Sequence, residues 1–138
     1  MFSSFAILKS FQSNGINLIP VIVRGTNQSA IDEDLHGQVS AEIINTYYNE
    51  LGIALKDDYE RCTKIYAAVD SVYEHECRII DIAILEDSFN GYTKDQYKQF
   101  VKYRLNIWLK RLGLNSRFKV TKWKLLPPNS DWKYYQRA

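Results

Sequence analysis

Cysteine and histidine are scarce in this sequence of 138 residues, and their spacing excludes several kinds of site. The two cysteines, Cys62 and Cys77, have no C-x-x-C pattern or Cys/His cluster around them. Zinc ribbons, redox motifs and a disulfide framework are therefore unsupported, and a reducing compartment is expected. Neither histidine lies in a recognisable nucleophile motif, so the sequence gives no support for a hydrolytic triad.

Long apolar runs, glycine-rich phosphate loops and blocks of like charge are also missing. The 18 basic and 16 acidic residues leave a net charge of only +2 and are interspersed, which argues against a nucleic-acid-binding surface. No stretch reaches the ~18 apolar residues that a membrane span needs, and the first residues lack the basic segment of a secretion signal. A cytoplasmic protein without a membrane segment is expected.

The apolar residues that are present, 46% of the chain, recur at spacings of three and four. This period is typical of helices with one buried face and predicts an all-α single domain over residues 1–138. Gly52 is a candidate carboxy-terminal cap, and Thr93 with Gln96 forms a candidate capping box. About four helices are expected, followed by an irregular tail from residue 114 to 138, with helices near 2–11, 17–51, 57–85 and 93–112. Gly25 and the polar residues 26–29 predict a break or kink in the second helix.

Glu33 and His36 form an E-x-x-H pair inside the second predicted helix. Residues at i and i+3 share a helix face, so a carboxylate oxygen and an imidazole nitrogen can reach one point. Such a pair suits iron, manganese or zinc, and helical carboxylate sites use this spacing. An isolated E-x-x-H is more often a coincidence than a ligand pair, so the spacing alone leaves both interpretations open. The polar residues 73–77 are interpreted as a partly exposed stripe, because their side chains alternate between faces.

Several longer segments make the E-x-x-H pair more specific. The chain resembles the carboxy-terminal half of the small (beta) subunit of class I ribonucleotide reductase, in the family's order, at segments 3–6, 17–20, 31–37, 99–106, 112–114 and 131–135. The segment Ile31-Asp32-Glu33-Asp34-Leu35-His36-Gly37 carries most of the likeness.

The resemblance implies a partial ferritin-like helical bundle and a dinuclear metal centre, usually iron and sometimes manganese. It implies that Glu33 and His36 are metal ligands and that Asp32 orients a ligand histidine from the second coordination layer, within the radical-transfer network. Phe5 would belong to the apolar pocket around the radical. The implied activity is the generation of a radical with which the large (alpha) subunit reduces ribonucleotides to deoxyribonucleotides, and a homodimer is the family's usual state.

The departures from the family pattern predict a fragment. The first E-x-x-H pair, two further carboxylates and the radical tyrosine would all precede Met1, and the first helix begins without a cap. The metal site would therefore be incomplete in this chain alone, the isolated chain inactive, and the amino-terminal half of the subunit its partner. We expect the isolated chain to expose apolar faces of its first two helices. Ile31 stands where many relatives have arginine, which we interpret as minor variation.

Two other functions remain open from the sequence. The chain could be a catalytically silent helical scaffold or interaction module, which would fold without metal and tolerate Glu33→Ala. It could also be another ferritin-like carboxylate protein, which would need more inward carboxylates. Glu42 and Glu50 are the nearest candidates on the same helix.

Overall fold

The computed structural model of the protein describes residues 2–12 and 18–120. The described residues form four α-helices, one short 3-10 turn at Leu55–Asp57 and a small antiparallel hairpin. The all-α prediction is confirmed. The helices are α1 (Phe2–Ser10), α2 (Pro20–Leu51), α3 (Tyr59–Ala83) and α4 (Lys94–Arg111), and the hairpin strands are β1 (Ser88–Phe89) and β2 (Tyr92–Thr93). The predicted tail residues 121–138, the resemblance segment 131–135 within them, and residues 13–17 lie outside the described part.

The helix ends follow the capping signals of the sequence. Gly52 ends α2 in the left-handed region at φ 69°, which glycine adopts without steric cost. Asp58 caps α3 by accepting a hydrogen bond from the Arg61 backbone N–H at 3.0 Å. Thr93 and Gln96 form the predicted capping box at the start of α4. These local contacts therefore set where three of the helices begin or end.

The predicted break in the second helix is wrong, because α2 is helical without interruption from Pro20 to Leu51. A glycine in a helix interior costs roughly 1 kcal/mol relative to alanine, which is too little to stop a helix that packs on its neighbours. Val23 and Thr26 are buried on either side of Gly25 and provide that packing. The residues before and after the polar run therefore belong to one helix.

The core lies where α1, α3 and α4 meet. The short helix α1 contacts all three longer helices, and α3 packs along α4. One core cluster joins α1, the end of α3 and α4, and it comprises Ala6, Ile80, Ile84, Tyr97, Phe100, Val101 and Leu105. A second cluster closes the opposite end of the fold with Tyr48, Leu55, Leu109 and Leu114.

Helix α2 keeps one apolar face open. Leu35, Val39, Ile43 and Tyr47 lie at spacings of four residues and are 51–64% exposed, and we call these four residues the α2 stripe. The predicted exposure of apolar residues is therefore found on α2. It is not found on α1, where Ala6 is buried and Phe2 and Phe5 pack against the core. Among the described helices, none combines the length and hydropathy needed to cross a membrane.

Candidate metal centre

Helix α2 carries the E-x-x-H pair on its long uninterrupted axis. Glu33 is half-buried and His36 is exposed, at the edge of the face that bears the α2 stripe. Because α2 is a regular helix here, the two side chains share a side of the helix as the spacing predicts. In the described part of the chain, neither side chain has a hydrogen-bond partner, so the Glu33 carboxylate and the His36 ring are both available to a ligand.

Glu33 lies beside aromatic residues from α1 and α4. A small cavity of about 20 Å³ is lined by Phe2, Phe5, Ala30, Glu33, Asp34, Phe100, Arg104 and Trp108. Phe5 and Glu33 therefore line the same small cavity.

A larger cavity of about 400 Å³ lies between α3 and α4. Its walls are mostly apolar, including Val69 and Val72 of α3 and Leu105 and Leu109 of α4, while Glu33 and Glu76 are its carboxylates. Glu33 therefore lines both cavities.

Asp32 is exposed and lies one turn before His36 on α2. A helix places residues at i and i+4 on the same side, so the two side chains are neighbours in space. Within the described residues, no hydrogen bond joins them, so the orienting role implied for Asp32 remains a prediction.

A buried ion-pair cluster next to Glu33 was missed at the sequence level. Asp34 Oδ1 accepts hydrogen bonds from Arg104 at 2.9 Å and from Arg111 at 2.8 Å, both on α4. Burial alone would raise the pKa of Asp34, but its hydrogen bonds with Arg111 and Arg104 outweigh this and hold the pKa below 3.8. The cluster ties α2 to α4 one residue after Glu33. Arg104 is buried, so this basic residue of α4 does not lie on the solvated side of the helix.

Glu76 departs from the partly exposed stripe predicted for residues 73–77, of which Glu74 and His75 are exposed. It is only 2% exposed, and its Oε2 accepts hydrogen bonds from the Ser3 backbone N–H at 2.8 Å and from the Ser3 hydroxyl. The spacing could have indicated that Glu76 is buried, since it falls four residues before Ile80 and seven after Val69, on the core side of α3. A carboxylate at a core position of a helix indicates a buried partner, because an unpaired buried charge is costly.

The donor set fits half of a dinuclear metal site. Oxygen from a carboxylate and nitrogen from an imidazole are the ligand types of such centres. In the described residues, no group of three or more His, Cys, Asp or Glu side chains converges on one point. Glu42 and Glu50 are exposed farther along α2, beside a shallow groove. The described residues therefore offer one candidate ligand pair, and a complete dinuclear site would need carboxylates from elsewhere.

Comparison with known proteins identifies the family to which the chain belongs. A family model described as the small chain of ribonucleotide reductase matches residues 1–125. The chain belongs to this family. No curated protein and no solved structure matches the chain.

Membership of the ribonucleotide reductase small-chain family agrees with the all-α architecture, and it makes the chain an oxidoreductase component. The matched range includes Phe5, Asp32, Glu33 and His36. Which of these residues binds metal is not decided by the match, and the roles of all four are taken up as a proposal.

Proposed function

We propose that this protein is the carboxy-terminal part of a ribonucleotide reductase small subunit and that Glu33 and His36 supply half of the ligands of its dimetal centre. The observation that supports this most directly is the E-x-x-H pair on an unbroken stretch of α2, without a hydrogen bond to any other described side chain and beside an apolar pocket. Iron is the expected metal, with manganese as the alternative. When bound, such a centre supplies the oxygen activation that produces the radical used by the large subunit.

The chain's own residues have distinct roles in this proposal. A carboxylate oxygen of Glu33 and a ring nitrogen of His36 bind metal from one side of α2. Asp32 accepts a hydrogen bond from a ligand histidine and fixes the orientation of its ring. Phe5, which lines the pocket next to Glu33, gives the site one of its apolar walls.

The remaining ligands would come from the amino-terminal half of the subunit, packed on the open face of α2. The α2 stripe continues the face that bears the E-x-x-H pair for about three further turns, and these exposed apolar side chains match the interior of a larger helical bundle. The completed subunit would then pair with the large subunit, and a homodimer is the family expectation.

The metal content of the purified protein tests the proposal directly. The chain is expressed alone and together with its upstream coding region in medium supplemented with iron and manganese, and metal per chain is measured by elemental analysis. We expect almost no metal in the chain alone and about two ions per assembled pair, as in di-iron carboxylate bundles. Glu33→Ala and His36→Ala should each lower this content, whereas Glu42→Ala, an exposed carboxylate on the same helix, should not. Absence of metal from both preparations would refute the metal-binding role.

A catalytically silent scaffold is the second candidate, and the α2 stripe favours it because apolar docking does not require metal. In that case the assembled pair would form with the same affinity whether Glu33 is present or replaced by alanine. A comparison of binding affinity and metal content in the same variants separates the two functions.

A further inference from the structure

Trp108 of α4 has a buried hydrogen-bond donor that finds no acceptor in the described part of the chain. Its indole Nε1–H is inaccessible to solvent and finds no acceptor among the described residues. A buried donor that lacks an acceptor costs ~1–3 kcal/mol, so native structures rarely keep one without a bridging water or a nearby acceptor. The acceptor should therefore be sought among the groups that surround the ring.

The ring is held in place by two contacts. Gly37 of α2 lies against its six-membered part so closely that a Cβ atom at position 37 would be 2.8 Å from Trp108 Cζ2. Phe2 of α1 packs edge-on with a ring-centroid distance of 6.0 Å. The indole therefore cannot turn its N–H towards solvent without displacing α1 or α2.

Among the carboxylates that line the cavities beside Trp108, Glu33 is the one that accepts no hydrogen bond from the described residues. It lines the same 20 Å³ cavity as Trp108 and also borders the larger cavity that Trp108 lines. The other carboxylate of the small cavity, Asp34, already accepts from Arg104 and Arg111. A cavity of about this size holds one water molecule when polar groups line it, and Glu33, Asp34 and Arg104 are such groups.

We propose that Trp108 is a positioning residue for Glu33: one water in the small cavity accepts a hydrogen bond from the Trp108 indole N–H and donates one to the Glu33 carboxylate. The bridge holds the inner oxygen of Glu33 and leaves the other oxygen directed to the side of α2 that bears His36. The part of this inference that concerns metal rests on the proposed function, but the hydrogen-bonded bridge itself does not. Such supports of a ligand side chain fix its orientation and raise metal affinity.

The bridge is tested without metal, on the full chain labelled with nitrogen-15 at its tryptophan side chains. Three tryptophans give three indole N–H signals, and Trp108→Phe identifies one of them. We expect Glu33→Met, which removes the acceptor and keeps the side-chain length, to move the Trp108 proton signal upfield and to speed its hydrogen exchange. Glu33→Gln, which keeps an oxygen acceptor, should largely preserve the signal, and Glu42→Met is the matched control. An unchanged Trp108 signal in Glu33→Met would overturn the bridge.

The consequence for metal is tested on the chain assembled with its co-expressed upstream half, by titrating Mn²⁺ and following the broadening of the His36 ring signals. Trp108→Phe should raise the Mn²⁺ concentration at the midpoint about 10-fold, as loss of a supporting hydrogen bond typically does. Tyr59→Phe, a substitution at an exposed aromatic residue of α3, should leave the midpoint unchanged. If Mn²⁺ broadens no His36 signal while Glu33→Met still shifts Trp108, the bridge stands and the proposed metal function fails. If wild type and Trp108→Phe give the same midpoint, the positioning role is refuted.

Discussion

At the scale of single residues, the two glycines of α2 illustrate how surroundings decide the effect of one methyl group. A Cβ on Gly25 would meet no atom within 4 Å, whereas a Cβ on Gly37 would lie 2.8 Å from the Trp108 ring. Both glycines are in a helix interior, where alanine is favoured by roughly 1 kcal/mol. Helix propensity acts equally at both positions. The difference between the two alanine substitutions in the free energy of unfolding therefore measures how closely Trp108 packs on position 37.

We predict opposite results for the two alanine substitutions. Gly25→Ala should raise the free energy of unfolding by about 0.5–1 kcal/mol, because it only removes backbone freedom from the unfolded chain. Gly37→Ala should lower it by about 1–2 kcal/mol, because overpacking against a rigid ring costs more than propensity returns. Urea unfolding followed by circular dichroism measures both values. Equal stabilisation by the two substitutions would show that Trp108 does not lie on Gly37.

At the scale of elements, the Glu76 carboxylate of α3 holds α1 in place through hydrogen bonds with Ser3. Ser3 donates its backbone N–H and its hydroxyl to Glu76, which lies almost fully buried at the foot of α1. Charge-assisted hydrogen bonds of this kind are stronger than neutral ones. The attachment matters for the proposed site, because α1 carries Phe2 and Phe5, two of the residues beside Glu33.

Removal of this carboxylate should loosen α1. We expect Glu76→Ala to lower the free energy of unfolding by about 2–4 kcal/mol, since it leaves the Ser3 donors without their acceptor and opens space in the core. Ser3→Ala should cost about 1 kcal/mol, because the backbone N–H remains bonded to Glu76. Glu74→Ala, an exposed neighbour on α3, is the control and should have little effect. Faster amide exchange in α1 of Glu76→Ala, with α4 unaffected, would place the loss at this contact.

The segment after α4 is held against α3 by hydrogen bonds in a similar way. Arg117 binds both oxygens of Asp70, at 3.0 and 2.8 Å, and Phe118 packs on the Tyr73 ring. Asn106 accepts hydrogen bonds from the backbone N–H groups of Arg117 and Phe118. The predicted irregular tail is thus packed over the helices as far as Phe118.

The Arg117 contact predicts a pH dependence. The hydrogen bond from Arg117 lowers the pKa of Asp70 below 3.8, so the folded state favours the charged carboxylate. The contribution to stability is complete well above that value and is lost as pH falls through the lowered pKa. We expect wild type to be more stable than Arg117→Met at neutral pH and the difference to shrink below about pH 4. A difference that is constant down to the acid transition would contradict this, and Asp70→Asn should abolish the pH dependence of the difference.

At the scale of the whole molecule, the α2 stripe is an apolar surface that the fold of a single chain leaves exposed. Contiguous exposed apolar side chains usually mark a surface that another protein covers. Glu42 and Glu50 stand beside the stripe at the groove that Ile43 and Tyr47 help to line. In the proposed function this surface receives the amino-terminal half of the subunit.

We expect the stripe to control association. Ile43→Glu should weaken binding of the co-expressed upstream half at least about tenfold, since burial of one isoleucine is worth ~1.5–3 kcal/mol. Ile82→Glu, the same substitution at an exposed isoleucine of α3, should not weaken it. Sedimentation velocity over a concentration series measures both variants, alone and with the upstream half. Indifference of the association to Ile43→Glu would remove the stripe from the interface.

The sequence alone determined the local features of this protein. The period of the apolar residues predicted the all-α fold, and Gly52, Thr93 and Gln96 marked helix ends because their capping contacts lie within a few residues of one another. The family resemblance was also visible in segments of the chain and is confirmed by the family match, while the fragment boundaries and the ligand roles stay predictions. These features need no information from distant residues.

Tertiary structure decided which polar residues are inside. Glu76 is buried because Ser3, 73 residues away, supplies its hydrogen bonds. Asp34 is paired by Arg104 and Arg111, and α2 continues through Gly25 because it packs on other helices. A charged side chain is buried without a large cost only where a hydrogen-bonding or oppositely charged partner lies close to it. Whether a partner lies close depends on how the helices cross, which residue spacing does not encode. The surroundings of Glu33 were therefore visible only in the folded chain.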